Sequence, residues 1–580
     1  MNFNLTLFYK IAFWISLTGL IAIISDFGFY QNEFYQRLLD SFYFVVLGIG
    51  LISTYTRYYH DRKLLERKAF TFDLISVVFT LWLYYLYLFV GVPFETDLIL
   101  ENPLWVKIAV LFTFIREFSE IKINFNRTVL NPAQLFILSF LFIIFVGSLL
   151  LILPNATYDG ISYLDALFTS TSAVCVTGLV VVDTGTYFTK FGQTIILILI
   201  QVGGLGILTF ASYFSYFFKG GTSYENQLVL SDMTSSKKLG EVFSTLKYII
   251  LITCGIELFA GILIYTSLDS ANFTTQSDKL FFSVFHAVSA FCNAGFSTLS
   301  NSLYETGFRF NYYLQLIIIF TFVLGGLGFP IVVNILKYLK YKIITLFSSA
   351  KSKYRPWVLN LNSRITLITT LSVSIVAFII FYFLEYNNTL AEHNGFGKMV
   401  TALFGATTPR TAGFNTIDTA AMEFPTLMMV FLLMWIGASP QSTGGGIKTS
   451  TFAIATLNIL SLAKGKSRIE IFRREIADIS VRRAFAIISL SLIVIGFSIM
   501  LVSVFDQEKQ LVHIAFECFS AYSTVGLSLG ITGDLSSAGK FVIIIVMFVG
   551  RISMLSLVIA VFKKIKHKNY SYPTEEITIN

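Results

Sequence analysis

The sequence predicts an all-α polytopic membrane protein that contains four copies of one helical unit. Of its 580 residues, 55% are apolar and only 13% are charged, whereas a soluble domain carries roughly 25% charged residues. A short signature also occurs four times, at intervals of 113 to 118 residues. Its glycines are Gly178, Gly295, Gly413 and Gly526. So long a period in so apolar a chain indicates a repeated membrane unit rather than a soluble solenoid.

The remaining compositional features are consistent with this class. The net charge of +8 is explained by basic residues in loops on one side of the bilayer, so we expect no nucleic-acid partner. The four cysteines lie in apolar or repeat segments and predict no disulfide framework. They are Cys175, Cys254, Cys292 and Cys518. The apolar run within residues 1–30 has no small-residue cleavage site after it and predicts a retained helix.

About four transmembrane helices are expected in an N-terminal bundle, residues 1–130. The predicted spans are Phe8–Ile24, Leu39–Tyr59, Phe72–Val90 and Trp105–Phe118. The fourth is short and contains Lys107 and Arg116, which raises the alternative of a voltage-sensing bundle. Sensors place Arg or Lys at every third position, because each charge that crosses the field contributes ~2.3 kcal/mol per 100 mV. The basic residues here are sparse, which favours a packing role.

The repeats are predicted over residues 131–240, 241–362, 363–478 and 479–568, followed by a tail at 569–580. Each begins with a long apolar helix: Gln134–Leu153, Thr245–Leu268, Ile365–Leu384 and Ala486–Phe505. A segment too short to span follows: Tyr163–Val174, Lys279–Phe291, Gly397–Thr407 and Val512–Tyr522. The signature and a second long helix complete the unit: Gly192–Tyr216, Tyr312–Leu339, Pro425–Leu462 and Lys540–Val561. Apolar runs of this intermediate length are typical of re-entrant segments.

The charged residues of the loops predict the topology. The basic loops hold Lys219, Lys237, Lys238, Lys340, Lys342, Lys351, Lys353, Arg355, Arg364, Lys464, Lys466, Arg468, Arg473, Arg474, Arg482, Arg483, Lys563, Lys564, Lys566 and Lys568. The opposite loops hold Glu95, Asp97, Glu101, Asp159, Asp269 and Glu392. By the positive-inside rule, both termini are expected in the cytoplasm and the short segments enter from outside.

Four irregular segments at membrane depth must be buried in protein or line water. The C-terminal end of each short helix carries about half a negative charge, and the carbonyls that follow can replace an ion's hydration shell. We therefore predict a cation filter made of backbone carbonyls. Its residues are Val176, Thr177, Gly178, Asn293, Ala294, Gly295, Thr411, Ala412, Gly413, Thr524, Val525 and Gly526. The signatures contain no carboxylate, which favours a monovalent ion over calcium, and Arg410 is expected to turn away and pair locally.

These signatures, with Gly203-Gly204-Leu205-Gly206 and Gly325-Gly326-Leu327-Gly328, resemble the Trk/Ktr/HKT superfamily of potassium transporters, and more narrowly the bacterial TrkH and KtrB subunits. The resemblance covers about residues 131–568. It implies four helix–pore-loop–helix repeats around a pseudo-fourfold pore and potassium uptake through a four-glycine filter. Plant relatives that transport sodium have serine at the position of Gly178, so the glycine implies potassium. A sodium-permeable transporter of the same fold stays an alternative.

The second long helix of the third repeat is interrupted around Pro440 and three consecutive glycines, which cannot comfortably continue a helix. The resemblance implies an intramembrane gate loop beneath the filter. The predicted gate residues are Gly437, Ser442, Thr443, Gly444, Gly445, Gly446, Lys448 and Arg551. Arg551 lies within the last apolar helix, where a charge is costly, and is predicted to raise the barrier for a cation.

The resemblance further implies a homodimer in a bacterial-type plasma membrane and a cytosolic nucleotide-binding RCK subunit of the TrkA or KtrA type. The basic 464–483 segment either faces lipid headgroups or docks that subunit. No covalent cofactor is expected, and nucleotide would act only through the partner. A membrane-embedded enzyme is the third alternative, but His286 and His513 have no metal-spaced partner and are expected to pack or to end helices.

Overall fold

The computed structural model describes residues 5–60, 70–90, 103–119, 132–205, 242–347 and 359–552. Within these ranges almost all regular structure is helical, apart from a two-residue hairpin of β1 Glu470–Ile471 and β2 Arg474–Glu475. The predictions for Gly206, for the basic residues at 219–238, 351–355 and 563–568, and for the 569–580 tail lie outside the described residues.

The N-terminal bundle consists of α1 Leu5–Gly28, α2 Glu33–His60, α3 Phe70–Tyr85 and α4 Leu104–Ser119. Helix α3 continues as a π-helical turn, Leu86–Val90. Apolar side chains from α2, α3 and α4 form its core. Its buried charges are paired: Lys107 contacts Asp26 at 2.9 Å, and Arg57 and Arg116 both contact Glu117. Both basic residues of the predicted fourth span therefore face carboxylates inside the bundle.

The long helices that open the four predicted repeats are α5 Pro132–Leu151, α8 Val242–Ser267, α12 Leu361–Leu384 and α16 Asp478–Phe505. The short helices are α6 Tyr163–Cys175, α9 Gln276–Cys292, α13 Gly395–Thr407 and α17 Leu511–Ser523. The closing helices are α7 Lys190–Leu205, α10 Tyr312–Leu327 with α11 Phe329–Phe347, α14 Phe424–Trp435 with α15 Thr449–Ala463, and α18 Ser537–Ile552. Six helices of the described chain are long and apolar enough to cross a membrane, or seven if the bent α10–α11 pair is one span. The all-α membrane class is thus confirmed.

Three of the short helices begin with a side-chain cap. Ser162, Thr275 and Asn394 each accept a hydrogen bond from a backbone N–H in the first turn of α6, α9 and α13, which satisfies a donor that has no partner within the helix. Toward their C-terminal ends these helices are buried on all sides, as expected for segments enclosed by longer helices.

One predicted helix is wrong. Tyr312–Leu339 was expected to be continuous, but the chain bends by 106° between α10 and α11. Gly328 lies at the bend with a φ of +81°, and a Cβ there would come within 2.8 Å of the Pro440 carbonyl oxygen. Since an L side chain fits neither that φ nor that space, the glycine allows the loop after α14 to pass close to the bend. The break between α14 and α15 lies where Pro440 and the glycine cluster predicted it.

Candidate functional site

The four signatures share an uncommon backbone conformation. The residue two positions before each signature glycine has a positive φ: 58° at Val176, 60° at Asn293, 71° at Thr411 and 50° at Thr524. The glycines themselves have φ values between 70° and 92°. In α6, α9 and α17 this left-handed residue directly follows the helix and caps it, whereas α13 ends at Thr407, four residues before Thr411.

The four signature glycines form a closed ring of contacts. A Cβ built on Gly178 would contact the Ala294 carbonyl oxygen, and one built on Gly295 would lie 3.1 Å from that of Ala412. Likewise Gly413 adjoins the Val525 oxygen and Gly526 adjoins that of Thr177, which closes the circle. Each glycine therefore packs against the carbonyl that precedes the next one, so that no side chain fits at any of the four positions.

A hydroxyl at the C-terminal end of each short helix braces its signature. The Ser172 and Ser520 oxygens accept the N–H of Gly178 and Gly526, both at 3.1 Å. In the other two segments the hydroxyl donates instead: Ser289 to Phe296 O at 2.7 Å and Thr408 to Phe414 O at 2.6 Å. These four residues are buried. The first residue of each signature is thus a Ser or Thr whose hydroxyl holds the backbone of that signature in place.

A cavity of about 270 Å³ lies on one side of the ring, with all four glycines in its wall. The rest of its lining is mostly polar and comes from the loops that follow the signatures, including Thr184, Ser297, Asn415 and Ser528. Asp183 also lines it, and its carboxylate is engaged by the N–H groups of Gly185 and Thr186. We call this polar cavity beside the ring the vestibule.

The loop between α14 and α15, residues 436–448, lies against the other side of the ring. Gly444 adjoins the Thr411 side chain and Gly445 adjoins that of Thr524. The Thr443 hydroxyl donates to Phe291 O at 3.3 Å, in the last turn of α9. The loop therefore contacts three of the four signatures at residues that precede the glycines, whereas the vestibule is lined by the glycines and the residues that follow them.

Backbone hydrogen bonds fold this loop back on itself. Ile447 N donates to Trp435 O at 3.3 Å and Thr449 N donates to Ala438 O at 3.1 Å. Ser439 N reaches Gly326 O at 3.0 Å, at the bend between α10 and α11. The two interrupted helices thus support each other beneath the ring.

Three cationic side chains hold the loop. The Arg551 guanidinium donates to Thr443 O, and also to Gly203 O at 2.6 Å. The Lys448 ammonium donates to Gly444 O at 2.5 Å. Arg410 lies 3.4 Å from Gly437 O and 3.3 Å from the Ser374 hydroxyl of α12. All three cations therefore donate to loop carbonyls, and Arg410 turns away from the ring as expected.

Several hydroxyls at the ring lack a hydrogen-bond partner in the described part of the chain. They are buried and belong to Thr177, Ser523 and Thr524. Asn293, by contrast, is fully engaged: with its amide nitrogen toward Ala290 O and Phe322 O, at 3.0 and 2.9 Å, its oxygen faces the Thr411 hydroxyl at 3.3 Å. A buried oxygen without a partner is costly, and a desolvated cation or a water molecule would satisfy it.

Ion pairs link neighbouring units at the ends of the short helices opposite the ring. Lys190 on α7 contacts Asp278 on α9, and Lys540 on α18 lies 2.8 Å from Asp165 on α6. The Lys190 ammonium, with the hydroxyls of Thr274 and Thr275, holds the pKa of the Asp278 carboxyl well below its usual range. These pairs fix the first turns of α6 and α9 to the closing helices beside them.

Comparison with known proteins identifies the family. The model of the TrkH family, described as cation transport protein, matches residues 108–572. The chain belongs to the TrkH family. The Ktr system potassium uptake protein B of Bacillus subtilis is 36% identical over 452 residues, covering 77% of this chain and 96% of that protein. The potassium/sodium uptake protein NtpJ of Enterococcus hirae is 35% identical over 464 residues, covering 78% of this chain and 98% of that protein.

The fold of the TrkH family is also found in this chain. The crystal structure of the potassium transporter TrkH from Vibrio parahaemolyticus superimposes with a TM-score of 0.59 at 18% identity, covering 85% of this chain and 97% of that one. The family match begins only at residue 108, so most of the N-terminal bundle precedes the part shared with the family model.

Two buried residues of this TrkH-family chain contact the loops that directly follow the signatures, which the sequence did not predict. Glu517 on α17 accepts hydrogen bonds from Ser528 and from Thr532, the latter at 3.0 Å. His286 on α9, expected only to pack, also lies 2.9 Å from the Ser297 hydroxyl. Glu517 and His286 both lie nine positions before a signature glycine. This shared spacing is the sequence feature that could have indicated their contacts, and it requires an alignment of the four segments.

Proposed function

We propose that this protein is a potassium uptake transporter in which the ring of Gly178, Gly295, Gly413 and Gly526 is the selectivity filter. The observation that supports it most strongly is the closed ring itself. In it each glycine packs against a carbonyl oxygen of the next segment, and it follows four short helices whose dipoles favour a cation at their C-terminal ends. With no carboxylate in the signatures, the ion would be coordinated by backbone carbonyls, which suit a large monovalent ion.

The names of two relatives support the choice of ion. The Bacillus protein is named for potassium uptake, and the Enterococcus protein for potassium and sodium uptake. The glycine at position 178 is the residue that the family resemblance associates with potassium rather than sodium, and a Cβ there would collide with the carbonyl oxygen of Ala294. The carbonyls would then surround the ion with no side chain between them.

The 436–448 loop is proposed to be the gate. It lies against the ring and is held by Arg551, whose charge also opposes a cation there. Breaking the Arg551 contacts would free the loop to move aside. In this view the ion passes from the vestibule through the ring and stops at the loop until these contacts open.

The transporter is further proposed to act as a homodimer in a bacterial-type plasma membrane, with both termini in the cytoplasm and a nucleotide-binding RCK subunit as regulator. Two relatives, proteins B and D of Bacillus subtilis, are named as parts of a Ktr system. The exposed basic residues around the β1–β2 hairpin, among them Arg473 and Arg474, offer a docking surface for such a subunit.

Uptake into proteoliposomes tests the function. The purified protein, reconstituted with potassium inside, should take up ⁸⁶Rb⁺ with saturation, and external K⁺ should compete far better than Na⁺. The rate should follow the driving force without a voltage threshold. Equal competition by Na⁺ would favour the sodium-permeable alternative, and a steep threshold would favour a voltage-gated channel. Absence of saturable uptake would overturn the proposal.

A further inference from the structure

The position nine residues before each signature glycine differs between the four segments. It is occupied by Thr169, His286, Phe404 and Glu517. The position two residues after each glycine is occupied by Val180, Ser297, Asn415 and Ser528, and all four line the vestibule. In the second and fourth segments alone, these two positions form a polar pair.

In the second segment the pair is His286 and Ser297. His286 Nδ1 lies 2.9 Å from Phe282 O, and Nε2 lies 2.9 Å from the Ser297 oxygen. Because a carbonyl can only accept, Nδ1 carries the proton and Nε2 accepts from the Ser297 hydroxyl. The Ser297 oxygen in turn accepts from Leu299 N at 3.0 Å. The hydrogen bonds therefore run without a break from the short helix to the vestibule wall.

Packing holds the His286 ring in this position. It is fully buried and stacks on Phe282 with 3.8 Å between the ring centroids. Phe414, which directly follows Gly413 in the third segment, lies on it at 6.2 Å. His286 therefore touches two neighbouring segments of the ring.

In the fourth segment the pair is Glu517 and Ser528. The buried Glu517 carboxyl accepts from the Ser528 hydroxyl and from Thr532, the latter at 3.0 Å. The Ser528 oxygen accepts from Gly530 N at 2.9 Å. As in the second segment, a side chain of the short helix fixes the serine that follows the signature, and that serine caps the next turn.

The two pairs lie across the ring from each other. Gly295 contacts the segments of Gly178 and Gly413, and Gly526 completes the circle between those two, so the second and fourth segments are diagonal. The other diagonal has no such pair: the Thr169 hydroxyl donates to Asp165 O at 2.9 Å within its own helix, and Phe404 packs in an apolar cluster.

We propose that His286 and Glu517 are positioning residues that fix the width of the ring along this diagonal and thereby contribute to ion specificity. The inference rests on the proposed function. A ring of carbonyls distinguishes ions by size or field strength only if the carbonyls stay in place, and the residues behind a site must hold it to within ~0.5 Å. Loss of either pair would let one segment move outward and admit the more strongly hydrated sodium ion.

The test compares ⁸⁶Rb⁺ uptake and its inhibition by Na⁺ and K⁺ in proteoliposomes for the full chain and its variants. Ser297→Ala and Ser528→Ala remove each pair from the loop side, and Glu517→Ala removes one from the helix side. A neutral hydrogen bond contributes ~0.5–1.5 kcal/mol, so we expect the preference for K⁺ over Na⁺ to fall about two- to tenfold. Glu517→Gln keeps an accepting oxygen and should retain more of the preference than Glu517→Ala.

Thr169→Val is the matched control, since it lies at the equivalent position of the first segment and its hydroxyl bonds only within α6. It should keep the wild-type preference. A wild-type protein without preference for K⁺ would overturn the proposed function. A selective wild type whose Ser297→Ala and Ser528→Ala variants behave like Thr169→Val would overturn this inference alone. Even if Glu517→Ala does not fold, Ser297→Ala and Ser528→Ala test whether the two polar pairs contribute to the preference for K⁺ over Na⁺.

Discussion

At the scale of single residues, the ring depends on backbone conformations that most side chains avoid. Val176, Thr411 and Thr524 are β-branched and yet have positive φ values, each at a cost of roughly 1–3 kcal/mol. The glycines beside them adopt positive φ without that cost. Hydrogen bonds from the braces and the packing of neighbouring segments hold these turns, as expected where backbone geometry serves a site.

Gly413→Ala should abolish selective uptake. The new methyl group would enter the space of the Val525 carbonyl oxygen at a φ of +80°, so one segment of the ring must move. The control is Gly160→Ala, which has a similar φ of +78° but no atom within 4 Å of the added carbon. We expect ⁸⁶Rb⁺ uptake to stay normal in the control. Equal uptake and selectivity in both variants would show that the contact is not essential.

Arg551→Ala should raise the basal rate of uptake severalfold. The substitution removes the donor to Thr443 O and Gly203 O and a positive charge beneath the ring, and both changes lower the barrier for a cation. Lys540→Ala is a suitable control, because it removes a cation from the same helix near its other end, where Lys540 pairs with Asp165. An Arg551→Ala protein with the wild-type rate would argue against any role in gating.

At the scale of elements, two broken helices shape the backbone that packs against the ring. The 436–448 loop interrupts one and the bend at Gly328 interrupts the other, and they share the hydrogen bond from Ser439 N to Gly326 O. A continuous helix has no free backbone groups to offer, whereas these breaks present carbonyls to Arg551, Lys448 and Arg410. The loop is therefore held by Arg551 and Arg410 from other elements and by its own Lys448.

Gly445→Ala should displace the 436–448 loop and change the rate of uptake. It leaves all four glycines of the ring unchanged. An added methyl group would collide with the Thr524 hydroxyl and come within 2.9 Å of Ser523 O. Gly496→Ala on α16 meets nothing within 4 Å and serves as control. Uptake should be measured with and without an applied potential. A wild-type rate in Gly445→Ala would contradict the proposed position of the gate.

At the scale of the whole molecule, the sequence predicted the helical membrane class, the approximate bounds of most helices and the break at Pro440, because hydrophobicity and glycine or proline content are local signals. It did not predict the bend at Gly328, which depends on the approach of the distant Pro440 carbonyl. Nor could it predict that Glu517 contacts Ser528 and Thr532, since that contact follows from the return of the chain after the signature.

The N-terminal bundle shows the same limit. Its four helices were predicted from apolar runs, but the pairing of Lys107 with Asp26 and of Arg116 with Glu117 required the packed structure. These contacts satisfy the buried charges within the bundle, which is consistent with a packing role.

The most direct test of ion coordination by the ring is to locate the ion. Crystals of the protein grown in Rb⁺ should show anomalous density on the axis of the ring, within coordination distance of the carbonyls of Thr177, Ala294, Ala412 and Val525, and the density should fall when K⁺ replaces Rb⁺. Crystals of Gly413→Ala should lack it. Rb⁺ density found only elsewhere in the protein, with the ring intact and empty, would contradict the proposed path.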